Sequence, residues 1–183
     1  MKKLISPILA ALAVVMLFSL PGRAADLDNI LLMDLKDGQV AIKLMPEVAP
    51  KHVARIKELV RMGFYDGLTF HRVIPGFMAQ GGDPEGTGRG GSGKNIPAEF
   101  SKVPFKRGTC GMARAQDPDS ADSQFFICFD AAPFLDGKYT VWGRVISGMQ
   151  FVDNIKKGVG QSGQVSYPAD KIIKMQIAAD VKK

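Results

Sequence analysis

Apolar residues first run together along this chain and then alternate. Leu4 to Leu20 is almost wholly apolar, broken only by Ser6, Pro7 and Ser19, and it stops at Pro21-Gly22. Further on, two short runs, Ile30 to Lys36 and Gln39 to Met45, flank Asp37-Gly38. Asp and Gly tolerate the positive φ of a tight turn, so this pattern predicts a β-hairpin. In the second run Val40, Ile42 and Leu44 alternate with Ala41 and Lys43, which gives one apolar face and one partly wet face. Pro50 then opens a helical pattern with Val53, Ile56, Leu59 and Val60 on one side and Gly63 placed to end it. His52 falls among Lys51, Arg55, Lys57, Glu58 and Arg61 and reads as a surface histidine.

Short strands are expected at Thr69 to Val73, Phe77 to Gln80, Gly108 to Ala113, Phe125 to Phe129, Tyr139 to Ile146 and Ile172 to Ile177. A second helix is expected from Ser147, with Met149, Val152 and Ile155 inward and Gly158 near its end. Many short strands between Gly and Pro turns, with only two helices, predict a mainly β protein built as a closed antiparallel barrel, its open ends covered by the helices. The long irregular segments Gly81 to Gly93 and Asp117 to Ser123 are loops suited to carry a binding surface. No repeat and no domain linker interrupts the pattern.

The leading apolar run changes the reading of the N-terminus. Met1-Lys2-Lys3 is basic, and Gly22-Arg23-Ala24 offers small residues at cleavage spacing, so residues 1–24 read as a signal peptide and 25–183 as the domain. The alternative, an uncleaved anchor, is disfavoured because the run barely approaches the roughly 20 residues of a span and ends at Pro21. No cysteine follows the run to carry a lipid. The signal resembles a bacterial export signal, so a periplasmic location is expected, with no stable membrane insertion of the mature chain. The formal charge is +6, and half of that excess sits on Lys2, Lys3 and Arg23 of the leader. The remaining charges are interspersed, which excludes a dense basic tract for nucleic acid. Cys110 and Cys128 both lie in apolar runs, so buried free thiols are favoured over a disulfide that export would permit.

The run Phe70-His71-Arg72-Val73-Ile74-Pro75-Gly76-Phe77-Met78-Ala79-Gln80-Gly81-Gly82-Asp83 resembles the cyclophilin signature. Gly111-Met112-Ala113, Ser123-Gln124-Phe125-Phe126-Ile127 and Phe134-Leu135-Asp136-Gly137-Lys138-Tyr139-Thr140-Val141-Trp142-Gly143 follow in the family's order. The resemblance spans essentially the whole mature chain. It implies an eight-stranded barrel capped by two helices and acceleration of rotation about peptide bonds that precede proline. It also implies that Arg72, Phe77, Met78, Gln80, Ala113, Gln124, Phe126, Leu135 and Tyr139 line the substrate groove. Within it Arg72 and Gln80 are expected to be catalytic, and Arg114 and Phe134, where the chain departs from the family pattern, are expected to join the substrate-binding residues. Without the family, Phe77, Phe126 and Leu135 read as core and Arg72 as a surface charge.

Amide rotation breaks no bond to carbon, so no nucleophile, metal or organic cofactor is required. Arg72 would hold the substrate carbonyl and present a donor toward the proline nitrogen; Gln80 would bind backbone beside the rotating bond. Phe77, Met78, Phe126 and Leu135 would receive the proline ring. Tyr139 either donates its hydroxyl or walls the pocket. His71 reads as structural, because no side chain must take a proton, and with only His52 and His71 no multi-histidine metal site exists. Asp83 and Glu85 have no acid step to serve. The glycines after Gln80 lack a phosphate loop's Gly-Lys-Ser/Thr ending, since Lys94 is followed by Asn95.

Familiar eukaryotic members carry tryptophan at Phe134, histidine at Tyr139 and usually asparagine at Arg114. Loss of the indole N–H at Phe134 predicts weaker binding of the inhibitor cyclosporin. Arg114 either favours acidic flanking residues in a substrate or points into solvent. The expected partners are proline-containing peptides and unfolded exported proteins, met by a monomer. The competing reading is a proline-peptide binding or chaperone module with little turnover.

Overall fold

The expected hairpin forms, but the chain turns at Lys36-Asp37, one residue ahead of the Asp37-Gly38 pair, and Gly38 is already the first residue of the returning strand. In a computed structural model, which describes residues 26–181, β1 (Ile30–Leu35) and β2 (Gly38–Leu44) pair antiparallel with Ile30 opposite Lys43 and Leu35 opposite Gly38. Leu31, Met33, Leu35, Val40, Ile42 and Leu44 are all buried. Each such side chain contributes about 1.5–3 kcal/mol on leaving water. The leader assigned to residues 1–24 lies outside the described residues.

Helix α1 (Pro50–Arg61) begins with Pro at its first turn, where a missing N–H costs nothing. It ends in a Schellman arrangement: Gly63 N donates to Val60 O and Phe64 N to Leu59 O, with Gly63 at φ +68°. Val53, Ile56, Leu59 and Val60 are buried as the periodicity predicts. His52 corrects the expectation of a surface residue: it is 0% exposed. Ala49 supplies no side-chain cap, and Glu99 from a distant loop takes that place. Glu99 accepts the N–H of Lys51 and of His52 at 3.0 Å each, and its Oε2 lies 2.7 Å from His52 Nδ1. The imidazole is buried because it completes this cap.

The remaining strands are β3 (Arg72–Ile74), β4 (Met78–Gly81), β5 (Thr109–Met112), β6 (Phe125–Cys128), β7 (Val141–Ser147) and β8 (Lys174–Ile177). They form one antiparallel sheet in the order β3-β4-β6-β5-β7-β2-β1-β8. The closed barrel is therefore not what forms. The sheet is open and strongly curled, a half-barrel with β3 and β8 as its edges. The reason lies at β3, which is three residues long and meets irregular chain instead of a strand. Val73 N bonds Gly163 O, Val165 N bonds His71 O, and Thr69 and Arg72 form isolated bridges to Lys171 and Gln164. That segment contains Gly158, Gly160, Gly163 and Pro168, which cannot sustain a ladder. It nevertheless covers the edge.

The pair of capping helices also requires correction. Helix α2 (Met149–Asp153) has only five residues and packs on β2, while Ser147 stays in β7. Among the described residues, three single turns of 3-10 helix occur besides, at Pro118–Ser120, Pro133–Leu135 and Ala178–Asp180.

Strand β6 explains its own unbroken apolar run, because both of its faces are covered. Phe125 and Ile127 join the main core with Trp142, Phe70, Val73 and the buried face of α1. Phe126 and Cys128 point the other way, into a smaller cluster with Met78, Phe105, Leu135 and Val141. Cys110 belongs to the main core and Cys128 to the smaller cluster; both are buried free thiols. The smaller cluster is the floor of the site.

Candidate active site

Strand register gathers the key residues into a row. Arg72 on β3 is opposite Gln80 on β4, Gln80 is opposite Phe126 on β6, and Phe126 is opposite Gly111 on β5. Gly111 is required there. A Cβ at this position would collide with the rings of Phe126 and Phe105, which stack at a 5.7 Å centroid distance. Ala113 and Arg114 follow β5 directly. The turn Pro133–Leu135 brings Phe134 and Leu135, and Tyr139 arrives just ahead of β7.

A chain of hydrogen bonds runs over this floor. Arg72 Nη1 donates to Gln80 Oε1 at 3.1 Å, Gln80 Nε2 to Gln124 Oε1 at 2.9 Å, and Gln124 Nε2 to the Gly90 carbonyl at 2.9 Å. From its other side Arg72 Nε donates to Ser162 O at 3.0 Å. The guanidinium is thus pinned twice, and Nη2 retains donors without a partner among the described residues.

The cavity above measures about 1220 Å³. Arg72, Phe77, Met78, Gln80, Ala113, Arg114, Phe126, Phe134, Leu135 and Tyr139 all line it. Gln124 does not; it lines an adjoining pocket of about 430 Å³ and reaches the main cavity through Gln80. Phe126 and Leu135 are nearly buried at 5% and 6%, whereas Phe134 is 59% exposed on the rim, 5.3 Å from Phe77. The Tyr139 ring meets Phe126 edge-on at 6.0 Å.

His71 lines the cavity beside Arg72 and is buried, with neither ring nitrogen hydrogen-bonded. Burial holds its pKa below the ordinary histidine value, which keeps it neutral. Burial pushes the Cys128 thiol up to about 12, so it offers no thiolate to the cavity. Among the described residues no cluster of histidine, cysteine or carboxylate side chains is arranged to hold a metal ion.

Several contributors escaped the sequence reading. Ser162 and Gln164 line the cavity, and the Ser162 and Gly90 carbonyls anchor Arg72 and Gln124. Both carbonyls belong to glycine-rich segments whose composition says loop but not destination. Only the repeated glycines of 158–163 hinted that this chain would approach a strand closely. Arg114 lines the cavity with its guanidinium bonded to backbone carbonyls of its own chain and not extended into solvent.

A wide apolar floor, a doubly anchored arginine and adjoining amide side chains define a peptide-binding groove that can hold an imino-acid ring and polarise the amide beside it. Residues 30–177 match the family described as cyclophilin type peptidyl-prolyl cis-trans isomerase. A probable peptidyl-prolyl cis-trans isomerase of Brucella suis biovar 1 (strain 1330) is 58% identical over 172 residues, covering 87% of each chain. Peptidyl-prolyl cis-trans isomerase B of Bacillus subtilis (strain 168) is 48% identical over 127 residues, 68% of this chain and 88% of that one. Among solved structures, the cyclophilin AquaCyp293 from Hirschia baltica superposes with a TM-score of 0.75 at 30% identity, covering 86% of this chain and 76% of that one. A cyclophilin type isomerase of Cryptosporidium parvum, crystallised in the presence of the dipeptide Ala-Pro, gives 0.74 at 29% identity and covers 81% and 98%. This chain belongs to the cyclophilin-type peptidyl-prolyl cis/trans isomerase family. It is an enzyme that accelerates rotation about X-Pro bonds.

Proposed function

We propose that this isomerase works outside the cytoplasm, in the periplasm, on the X-Pro bonds of exported chains as they fold, and that it does so as a monomer. The reading for export rests on the basic start Lys2-Lys3, the apolar run Leu4 to Leu20 and the break at Pro21-Gly22. No helix among the described residues is long and apolar enough to cross a membrane.

The catalytic reading rests on the pinned guanidinium of Arg72. Rotation about an amide meets a barrier of about 18–20 kcal/mol because conjugation must be broken. In the twisted geometry the proline nitrogen recovers its lone pair. Interactions accelerate rotation only where they are stronger in that geometry than in the planar one. Anchored by Gln80 and Ser162, Arg72 presents its free donors without having to reorganise. Phe126, Met78, Leu135 and Phe77 hold the proline ring while the acyl side turns. Gln80 and Gln124 keep the donors aimed and bind the extended backbone.

The test is cis/trans exchange in a short X-Pro peptide with the mature protein and its Arg72→Ala variant. Loss of a preorganised donor costs about 10²–10³ in rate. A folded variant with undiminished exchange would remove Arg72 from catalysis. Peptide binding without acceleration by the wild type would favour the binding-module reading. Fractionation of cells that make the full chain tests the location; a product retaining residues 1–24 in the cytoplasm would overturn it.

A further inference from the structure

Arg114 stands where the chain leaves β5, and its side chain crosses to the strand of residues entering β7. Nε and Nη2 both donate to Lys138 O, at 3.3 and 3.0 Å. Nη1 donates to Ala115 O at 2.8 Å and Gln116 O at 3.1 Å. Four of the fork's five N–H groups are thereby directed at carbonyls, and none at a carboxylate. The face of the same guanidinium lies over the Tyr139 ring, 4.6 Å from its centroid, with Phe100 at 6.0 Å. Phe126 meets that ring edge-on from a second direction.

We propose that Arg114 is a positioning residue for isomerisation: it ties the 113–116 and 138–139 segments together across the groove and holds the Tyr139 ring in place as its wall. Three observations converge on it. The carbonyls it binds lie just outside the strands, since β5 stops at Met112 and β7 starts at Val141, and they extend a junction that Met112 N begins by donating to Thr140 O at 3.0 Å. Within the 138–139 segment both backbone N–H groups turn back to Leu135, whose carbonyl accepts from Lys138 N at 3.0 Å and Tyr139 N at 3.3 Å. Tyr139 itself has no hydrogen-bonded side-chain partner among the described residues, so its ring orientation depends on the Arg114 and Phe126 contacts and on apolar packing. Only arginine serves here. Its planar fork satisfies carbonyls at the edge while its face stacks on an aromatic ring, and a lysine ammonium cannot do both.

This assignment rests on turnover occurring in the groove, which Arg72→Ala tests independently. The experiment is a double-mutant cycle on kcat/KM with Arg114→Ala, Tyr139→Ala and the pair, alongside Arg114→Lys, each checked for folding by thermal unfolding. In the wild-type background Arg114→Ala is expected to lower kcat/KM about tenfold, within the usual range of coupling between touching residues. Arg114→Lys is expected to fall nearly as far. In the Tyr139→Ala background the same change is expected to do almost nothing, because the ring it positions is gone. Peptides with Glu, Ala or Lys beside the X-Pro bond should all lose equally. An undiminished effect in the Tyr139→Ala background, a loss confined to acidic peptides, full rescue by lysine, or no loss in a folded Arg114→Ala protein would each overturn the assignment.

Discussion

Arg72 and Gln80 face each other across the β3–β4 ladder, and their side chains repeat that pairing with a 3.1 Å bond from Nη1 to Oε1. Backbone register therefore sets the spacing of the pair proposed to act on the amide. Gln80 in turn leans on Gln124, and Gln124 on the Gly90 carbonyl. Removing Gln124 leaves Arg72 in place but frees the amide beside it. Gln124→Ala is expected to reduce kcat/KM about two- to tenfold, the worth of one ordinary hydrogen bond, well short of the loss from Arg72→Ala. Steady-state isomerisation of an X-Pro peptide measures it, and wild-type turnover would show that the relay does not aim the site.

Gly111 lies directly under the rings of Phe126 and Phe105, which leave no space for a Cβ. Gly111→Ala forces Phe126 or Phe105 to move. Overpacking of this kind costs about 1–3 kcal/mol. Because Phe126 is the floor of the cavity, stability and activity should fall together. Urea unfolding and an exchange assay on the same sample decide this: a stable protein with low activity would place the strain in the groove alone, and an unaffected protein would refute the close packing.

Phe134 sits on the rim, mostly exposed and in contact with Phe77. A larger ring can be accommodated there without disturbing the core. Phe134→Trp adds an indole N–H, and one added hydrogen bond is worth about a two- to tenfold gain in affinity for cyclosporin. Titration calorimetry of both proteins checks it, and equal affinities would show that the indole N–H adds nothing to cyclosporin binding.

These sites show what a sequence makes legible. The hairpin, α1 and most strand cores follow from local periodicity and turn residues, so they could be read within a residue or two. The family motifs located the groove residues because Arg72, Gln80 and Phe126 fall on strands with determinate register. Closure of the sheet could not be read in the same way. It depended on whether β3 met a strand or the irregular 158–171 segment, a contact between residues far apart in the chain. His52 was misjudged for a related reason: its neighbours in sequence are charged, but Glu99, which buries it, is 47 residues away. Arg114 too drew its role from carbonyls, which carry no side-chain signature.

Cys110 and Cys128 are buried in separate clusters, and burial raises both thiol pKa values, that of Cys128 to about 12. A thiol-directed reagent at pH 8 is expected to leave native protein unmodified and active and to label both residues after unfolding. Rapid labelling of folded protein would mean that the strands β5 and β6 open readily.

The buried pair at the start of α1 gives the fold a pH dependence whose sign can be worked out. Burial lowers the His52 pKa against the opposing pull of Glu99, so the imidazole stays neutral in the folded chain and can donate from Nδ1. Burial works to raise the Glu99 pKa, but the bonds from His52 and the two helix N–H groups outweigh it and leave it below 4.5. Both shifts act in one direction. The unfolded chain binds protons at His52 below about pH 6.5 and at Glu99 below about pH 4.5, in each case before the folded chain does. Stability is therefore expected to be full above pH 7, to decline as pH falls through 6.5, and to decline further below 4.5. Glu99→Gln keeps the shape but removes the charge at the helix N-terminus. It should cost about 1–3 kcal/mol at pH 7 and flatten the loss below pH 4.5. Urea unfolding from pH 4 to 8 on both proteins tests this, since an acid slope unchanged by Glu99→Gln would mean that the carboxylate at the start of α1 does not carry it.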